Sequence, residues 1–283
     1  MAEVVELLSG KAVVVDATVG AGGHSEALLE AGIDSVVGID RDGDALREAA
    51  SRLERFGSRF RAVRSTFARL AEAVRGQGLE AVAGVLYDLG VSSIQLERTE
   101  RGFSYRSPGP LDMRMGESED RPTAADVVNS YPEEKLAQII FEYGEERFSR
   151  RIAAAIVRAR SRAPLSNTAE LAAVVAAAVP RRRTGPHPAR RTFQAIRIEV
   201  NGELEELTAS LPQAVALLEP GGRLVAISYH SLEDRIVKRF LAGEARLTVL
   251  TKKPIRPSNA ETSRNPRARS ARLRAGELVG QAS

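Results

Sequence analysis

The first hundred residues alternate short apolar runs, rich in β-branched side chains, with stretches that have helical periodicity. Strands are predicted over residues 12–15, 35–39, 60–63 and 81–87, and helices over residues 25–31, 44–56 and 67–75. Parallel strands need a crossover connection, usually a helix, so this alternation is typical of an α/β fold with a parallel sheet. The pattern therefore predicts an α/β domain at the start of the chain.

The periodicity becomes entirely helical between residues 103 and 197, with helices predicted over residues 124–130, 132–143, 146–160 and 169–179. A longer helical pattern over residues 190–218, interrupted at Pro212, then leads to three further strands at residues 223–228, 247–251 and 270–274. The sheet thus resumes after an insertion. We predict a discontinuous domain of residues 1–102 and 198–283 around an all-helical subdomain of residues 103–197.

The composition excludes several kinds of chemistry. Among the 283 residues there is no Cys, which rules out disulfides, Cys-ligated zinc, iron–sulfur clusters and a Cys nucleophile. No apolar run approaches the roughly 18 residues of a membrane span. The first ten residues carry two Glu and do not resemble a signal peptide. We expect a soluble, cytoplasmic protein with no membrane partner.

The modest net charge of +4 conceals a strong segregation along the chain. Residues 1–146 carry 16 basic and 26 acidic groups, whereas residues 147–197 carry 12 Arg against the single Glu170. Residues 198–251 are net acidic (5 against 8), and residues 252–283 are basic again (8 against 2). Two basic blocks on an acidic chain favour a polyanionic partner, because phosphate neutralisation releases counterions. A solvated helix face and a basic tail would give the same counts.

A glycine-rich turn follows the first predicted strand, in the order Asp16, Gly20, Gly22, Gly23 and His24. Glycines at the start of a helix let a ligand approach the backbone and present free N–H groups to it. The turn is not the dinucleotide fingerprint G-x-G-x-x-G, because Ser25 stands where the third glycine is expected. The ligand class must therefore be inferred from the neighbouring side chains.

Acidic residues stand at the ends of three strands: Asp16, Asp40 and Asp88. Ligands of open α/β sheets bind at these carboxyl ends. An acid after the second strand accepts hydrogen bonds from ribose hydroxyls, and one before the loop attracts an ammonium or sulfonium. The combination favours S-adenosylmethionine (SAM) over NAD, with Phe67 placed to flank the adenine. Taken singly, Asp16 and Asp88 also suit helix caps, and Phe67 suits the core.

Methyl transfer from a sulfonium depends on alignment more than on acid–base catalysis. Methylation at C5 of cytosine normally needs a thiolate, so a chain without Cys points to a nitrogen or oxygen acceptor. Asp88 is the candidate catalytic residue, because its carboxylate could accept the N–H of an exocyclic amine. His230, at the end of the fifth strand, is a second candidate, and Ser231 with Asp234 matches a helix-capping pattern.

Nine separated motifs resemble the MraW/RsmH family of bacterial 16S ribosomal RNA (cytosine N4)-methyltransferases. The motifs are DATVGAGGHS (16–25), GIDRD (38–42), DLGVSS (88–93), RGFS (101–104), GPLDMRM (109–115), YGEERF (143–148), RTFQA (191–195), SLEDR (231–235) and NPRARS (265–270). The likeness is colinear from Glu3 to Arg274. Tyr229 stands where the family commonly has Phe, and Ile94 where it commonly has Pro.

The resemblance implies a Rossmann-like SAM-dependent methyltransferase with a helical substrate-recognition insertion, which acts on a decoding-centre cytidine. The SAM contacts that it implies are Gly22, Gly23, His24, Asp40, Phe67, Asp88 and Gln95, beside Asp16 from the strand-end argument. The candidate RNA contacts are Arg114, Arg181, Arg182, Arg183 and Arg191. The implied partner is 16S rRNA in a small ribosomal subunit or a late assembly intermediate, and a homodimer is compatible with the sequence.

Two other functions stay open at this point. A methyltransferase of another acceptor would transfer the methyl group without RNA, and the basic blocks would be dispensable. A non-catalytic RNA-binding factor would bind SAM and RNA without forming a product. Assays of methyl transfer with and without RNA separate all three.

Overall fold

A computed structural model of the protein describes residues 1–116, 121–180, 185 and 187–280. The chain forms two compact units, Met1–Gly90 with Leu204–Ser283 and Val91–Glu203. The sequence analysis drew these boundaries at residues 102/103 and 197/198, so the structure assigns twelve more residues to the second unit at one end and six at the other. The first unit is discontinuous in sequence and contains the sheet.

The first unit is built on a seven-stranded sheet of order β3-β2-β1-β4-β5-β7-β6. Strands β1 to β5 are parallel, while β7 runs antiparallel to both β5 and β6. The strands are β1 (Val13–Asp16), β2 (Ser35–Asp40), β3 (Phe60–Arg64), β4 (Val82–Asp88), β5 (Leu218–Ser228), β6 (Leu247–Val249) and β7 (Arg272–Leu278). The predicted α/β class is therefore confirmed.

Burial explains why these runs form strands rather than helices. β4 is buried at every position from Val82 to Tyr87, and β2 from Val36 to Ile39. A central parallel strand is covered on both faces, so it has a continuous apolar run instead of an alternating one. The helices of this unit are α1 (Ala2–Leu8), α2 (Gly23–Glu30), α3 (Gly43–Leu53), α4 (Leu70–Arg75), α11 (Glu203–Leu217, from Leu204 onward), α12 (Ser231–Gly243) and α13 (Asn259–Arg264).

The regular elements described in the second unit are helical, as predicted. They are α5 (Ser93–Glu97), α6 (Ala124–Ser130), α7 (Glu133–Glu142), α8 (Ser149–Arg160), α9 (Thr168–Ala178) and α10 (Arg190–Asn201). These helices enclose a core of their own, in which Leu136, Ile140, Ile152 and Ile196 are fully buried. The helical insertion is thus a unit with its own apolar interior.

The prediction that Pro212 interrupts the long helix after residue 190 is wrong. The break lies at Gly202, where φ is +59° and ψ is +37°, a left-handed conformation that favours glycine and ends α10. Pro212 lies inside α11. Proline removes one N–H from a helix but does not always end it, because tertiary packing can compensate for the lost hydrogen bond.

None of the described helices combines the length and the apolar composition that a bilayer span requires.

A buried ion cluster joins α12 to β7. Asp234 accepts hydrogen bonds from Arg274 Nε at 2.7 Å and from Arg272 Nη1 at 3.0 Å. Burial opposes the ionisation of Asp234, but the two guanidinium groups outweigh it and hold its pKa below the usual value. Both Asp234 and Arg274 are buried, so each depends on the other for compensation of its charge.

Replacing Asp234 by Ala should therefore destabilise the protein by about 3–5 kcal/mol, because it leaves the Arg274 guanidinium buried without a counter-charge. The measurement is chemical denaturation at neutral pH. Arg272→Gln is the matched control, and it should cost only about 1 kcal/mol or less, since Arg272 is partly exposed. Equal and small losses for the two variants would contradict this account of the cluster.

Candidate functional site

Three strands of the first unit end in carboxylates at one edge of the sheet. Asp16, Asp40 and Asp88 are the last residues of β1, β2 and β4, and β1 lies between the other two. From β1 the chain winds outward through β2 to β3, whereas β4 and β5 lie on the other side. Such a reversal of winding opens a crevice at the carboxyl ends of the strands, where ligands of α/β sheets bind.

The glycine-rich turn connects β1 to α2 within this crevice. Gly22 is the N-cap of α2 and has a φ of +80°. A Cβ at this position would also lie 3.1 Å from Leu53 and 3.3 Å from Ala49, so the turn needs glycine both for its conformation and for packing. Gly20 donates its backbone N–H to Asp40 Oδ2 at 3.0 Å. This hydrogen bond connects the turn to the carboxyl end of β2.

Asp16 is the most deeply buried of the three acids, with 1% of its surface exposed. Its carboxylate accepts hydrogen bonds from Ser25 Oγ at 2.8 Å and from the Thr18 N–H at 3.3 Å. Burial nevertheless dominates and raises its pKa from 3.8 to about 6, against the opposing charge of His24. The contacts that Asp16 makes within the protein therefore do not offset the cost of burying its ionised carboxylate.

Burial affects the Asp40 carboxylate in the same direction as that of Asp16. Its Oδ1 accepts the N–H of Asp42 at 2.9 Å, and its Oδ2 accepts the N–H of Gly20. Burial raises the pKa of Asp40 despite these two backbone donors. Each carboxylate oxygen has a second lone pair, so two further hydrogen bonds can still be accepted.

Asp88 receives side-chain contacts from two directions. Tyr229 donates its hydroxyl to Asp88 Oδ1 at 2.9 Å, and His24 Nδ1 lies 3.2 Å from Oδ2. The Asp88 N–H donates to Thr18 Oγ1 at 2.6 Å, which holds the end of β4 against the turn. Asp88 keeps 27% of its side chain exposed, whereas Asp16 is buried.

The Asp88 carboxylate shifts the pKa of two neighbouring side chains, His24 and Tyr229. Burial opposes the protonation of His24, but the hydrogen bond and charge of Asp88, together with the charge of Asp16, raise the pKa of His24 above 6.5. Burial and the adjacent Asp88 carboxylate also raise the pKa of Tyr229, which keeps its phenol protonated as a donor. Asp88 is thus held by two donors of different kinds.

Phe67 lies on a short 3₁₀ turn, Phe67–Arg69, directly after β3. Its ring packs edge-to-face against Tyr87, with ring centroids 6.1 Å apart, and the Arg41 guanidinium lies 5.8 Å from its centroid. Arg41 in turn pairs with Glu206. The aromatic ring is partly buried, so it belongs to the rim of the core at the end of the third strand.

His230 is the N-cap of α12, a position that the sequence analysis gave to Ser231. Its Nδ1 accepts the Glu233 N–H at 3.4 Å, and the Glu233 carboxylate accepts the N–H groups of Tyr229 and His230. This reciprocal capping box satisfies free donors at the helix start. Imidazole has the acceptor nitrogen that this role requires, and its ring is 8% exposed. The structure thus gives His230 a capping role.

The remaining predicted residues belong to the second unit. Gln95 is buried, and its Oε1 accepts the Ser92 N–H at 3.0 Å. Arg114 makes a two-point contact with Asp112, and Arg191 donates to the Glu145 carbonyl oxygen at 3.0 Å. Arg181, Arg182 and Arg183 lie outside the described residues.

Two contributors to the site were missed as such by sequence reasoning. Thr18 joins Asp16 to Asp88, and the Tyr229 hydroxyl reaches Asp88 across 141 positions of sequence. Thr18 lies inside the glycine-rich motif, which offered a local signal for its role. The contact of Tyr229 had no local signal, because it depends on the pairing of β4 with β5.

Comparison with known proteins gives consistent matches over almost the whole chain. A model of the MraW methylase family matches residues 1–279. A protein of Carboxydothermus hydrogenoformans named ribosomal RNA small subunit methyltransferase H is 51% identical, with 98% of this chain and 96% of the relative covered. A protein of the same name from Acidothermus cellulolyticus is 50% identical over 95% of this chain and 87% of the relative. A solved structure titled as a putative rRNA methylase from Clostridium thermocellum aligns with 14% identity and a TM-score of 0.49, over 98% and 96% of the two chains.

The raised pKa of Asp16 predicts a pH-dependent stability. The folded pKa of about 6 lies above the unfolded value of 3.8, so the folded state binds the extra proton between these values. Stability attributable to Asp16 should therefore fall as pH rises through this window, by about 3 kcal/mol at most. The difference between wild type and Asp16→Asn in denaturation series from about pH 4 to pH 8 isolates this contribution.

His24 acts in the same direction but at higher pH, because its pKa is raised above 6.5. If the free energies of unfolding of wild type and Asp16→Asn differ only above pH 6.5, the effect would be assigned to His24 instead. Parallel stability curves would mean that the Asp16 proton is not linked to folding.

Proposed function

The chain belongs to the MraW methylase family, and we propose that it transfers a methyl group from SAM to the exocyclic N4 of a cytidine in the decoding centre of small-subunit rRNA. About half of its residues are identical to those of relatives named ribosomal RNA small subunit methyltransferase H, over nearly their whole length. The chain is accordingly a small-subunit rRNA methyltransferase. The cytosine N4 acceptor and the decoding centre are the parts that we propose.

The observation that carries the proposal is the set of three carboxylates at the ends of β1, β2 and β4. Burial raises the pKa of two of them, Asp16 and Asp40, so positive charge from a ligand would stabilise their ionised forms. A sulfonium and an α-ammonium would provide it, whereas a pyrophosphate would add repulsion. The residues present therefore fit SAM better than a dinucleotide.

Each element of the crevice then has a role in holding the donor. Asp40 has two lone pairs left for ribose hydroxyls after its backbone contacts. Gly22 and Gly23 form the start of α2, where free backbone N–H groups can face a ligand, and Asp16 would compensate the positive charge of the donor. Phe67 offers an aromatic edge at the end of β3 for the adenine. SAM, when bound, supplies an electrophilic methyl group.

Asp88 is the residue that we assign to the acceptor. Tyr229 and His24 each occupy one side of its carboxylate, so the plane of the group is fixed while lone pairs remain for an N4–H. Accepting that hydrogen bond turns the amine lone pair towards the methyl group, which is the alignment that direct transfer needs. The same carboxylate is placed to take the proton that N4 loses on methylation.

Two features of the chain support nitrogen as the acceptor. Without Cys, the chain has no thiolate with which to activate C5 of the cytosine ring. A carboxylate is a hydrogen-bond acceptor when ionised, which suits an amine that must be oriented through its N–H. The assignments of Gln95 to SAM and of Arg114, Arg191 and Arg181–Arg183 to RNA remain predictions from the family resemblance. The capping box of His230 leaves Asp88 as the principal catalytic candidate.

Mass analysis of rRNA nucleosides tests the proposal directly. Wild-type protein, SAM and either naked 16S rRNA or assembled small subunits should yield N4-methylcytidine at one position. Asp88→Ala should slow methyl transfer at saturating SAM by about 100-fold or more, since the orienting acceptor is lost. A methyl group found on carbon or on another base would exclude the proposed acceptor, and SAM binding without any product would favour a non-catalytic factor.

Asp40→Ala should weaken SAM binding by about 1–3 kcal/mol, because hydrogen bonds from ribose hydroxyls to a charged acceptor are lost. Isothermal titration calorimetry measures the change. Asp44→Ala is a suitable control, since Asp44 pairs with Arg47 at the surface of α3. Equal affinities of wild type and Asp40→Ala would remove Asp40 from the cofactor site.

A further inference from the structure

Helix α8 and its flanking residues carry a series of arginines. Arg147, Arg151, Arg158 and Arg162 are separated by four, seven and four positions. Arg151 and Arg158 lie within α8 (Ser149–Arg160), where a separation of seven positions at 3.6 residues per turn places them on one face, within about 20° of each other. Arg147 lies two residues before the helix and Arg162 two residues after it. All four residues are exposed. We call this set the α8 arginine stripe.

The stripe lies opposite the face by which α8 packs into its unit. The buried residues of α8 are Ser149, Ile152, Ala153 and Ile156, which recur at helical spacing on the other side of the helix. Because the two faces are about half a turn apart, the arginine side chains point away from the core of the second unit. The stripe is therefore a surface feature and does not contribute to the apolar core.

The stripe has no counter-charge of its own. Within the part of the chain that the structure describes, none of its four guanidinium groups forms an ion pair with a carboxylate. Arg147 and Arg151 lie instead near the ring of Phe148, 4.6 Å and 5.8 Å from its centroid. A guanidinium beside an aromatic ring keeps its N–H donors available, and the contact restricts its motion.

Two other arginines of the basic block, Arg160 and Arg197, have structural contacts that the stripe lacks. The Arg160 guanidinium donates to the carbonyl oxygens of Val128 and Tyr131, at 2.8 Å and 2.7 Å, and so closes the end of α6. Arg197, from the same basic block, pairs with Glu203. The block of 12 Arg therefore contains both structural arginines and unpaired ones, and two of the unpaired ones, Arg151 and Arg158, share a face of α8.

The guanidinium groups of the stripe carry like charges, and no carboxylate of the described residues pairs with them. A partner that carries a regular series of negative charges would supply the missing counter-charge. Arg151 and Arg158 are about 10 Å apart along the helix axis, from a rise of 1.5 Å over seven positions, so the stripe can reach more than one phosphate of a strand or duplex.

We propose that the α8 arginine stripe binds the sugar–phosphate backbone of the rRNA substrate, and that it contributes affinity without choosing the methylated base. The proposal rests on the proposed function, since that function makes RNA the polyanion present. Arginine suits this role because its planar fork matches phosphate oxygens. Contacts to phosphates position a protein on RNA and carry no sequence information of their own.

The test compares two double variants that each remove two positive charges. Arg151→Gln with Arg158→Gln takes charges from the stripe. Arg55→Gln with Arg75→Gln takes them from exposed, carboxylate-paired positions of the first unit. Binding of a small-subunit rRNA fragment is measured at several KCl concentrations, together with Tm and with kcat and KM for methyl transfer.

For the stripe variant we expect the slope of log affinity against log salt to flatten by about 1.4–1.8, equivalent to two phosphate contacts. At about 100 mM salt the affinity should fall roughly tenfold or more. KM for RNA should rise while kcat is kept, and Tm should stay close to the wild-type value, because both substituted side chains are exposed. The control variant should keep the wild-type slope, since exposed charges are screened beyond about 8 Å.

An unchanged salt slope in the stripe variant would overturn the proposal, as would an equal loss of slope in the control variant. A lower Tm with unchanged RNA affinity would assign the stripe to folding and would also overturn it. Failure of the proposed function is a separate result: wild-type protein would then bind RNA but form no N4-methylcytidine. A salt slope that depends on the stripe in that situation would still support the surface.

Discussion

The structure of the first unit depends on one electrostatic constraint, the convergence of three carboxylates at the ends of adjacent parallel strands. Parallel pairing of β2, β1 and β4 brings their carboxyl ends to the same edge, so the positions of Asp16, Asp40 and Asp88 in the sequence also fix their proximity in space. Burial of a carboxylate disfavours its ionised form, and this desolvation is the main cause of the raised pKa of Asp16 and of Asp40. Much of the local geometry supplies these carboxylates with hydrogen-bond donors in place of water.

The groups that contact the carboxylate differ among the three acids. Backbone N–H groups compensate Asp40, a serine hydroxyl and one N–H compensate Asp16, and the Tyr229 phenol and His24 contact Asp88. For Asp16, which is buried, and Asp40, which is partly buried, these contacts do not outweigh the effect of burial, which still raises their pKa. A site with an incompletely compensated negative charge favours a cationic ligand, because the ligand brings the positive charge that the surrounding residues do not provide. The preference for a positively charged methyl donor thus follows from the folding cost of the crevice.

The order of the elements was predictable from sequence because it depends on local signals. Apolar β-branched runs gave the strands, and the acid at the end of each run gave the crevice. Features that depend on contacts distant in sequence were not accessible. The identity of the N-cap at His230, the break at Gly202 instead of Pro212, and the Tyr229 contact to Asp88 are all decided by tertiary packing. Glycine at a left-handed position ended the helix more effectively than proline, although both are helix breakers by composition.

The charge segregation seen along the sequence does not coincide with the two units, because the first unit contains both the acidic start of the chain and the basic residues 252–283. The charge that bears on a ligand is therefore the local one. An acidic crevice repels phosphates, so a single surface cannot suit both a cationic ligand and a polyanion. The three strand-end carboxylates lie in the first unit, and the exposed arginines of α8 lie in the second. Net charge alone would miss the distinction, since Arg160 and Arg197 are structural while the α8 arginine stripe is free of carboxylate partners in the described part of the chain. The position of an arginine on its helix, more than the number of arginines, therefore decides whether its guanidinium is used within the fold or stays at the surface.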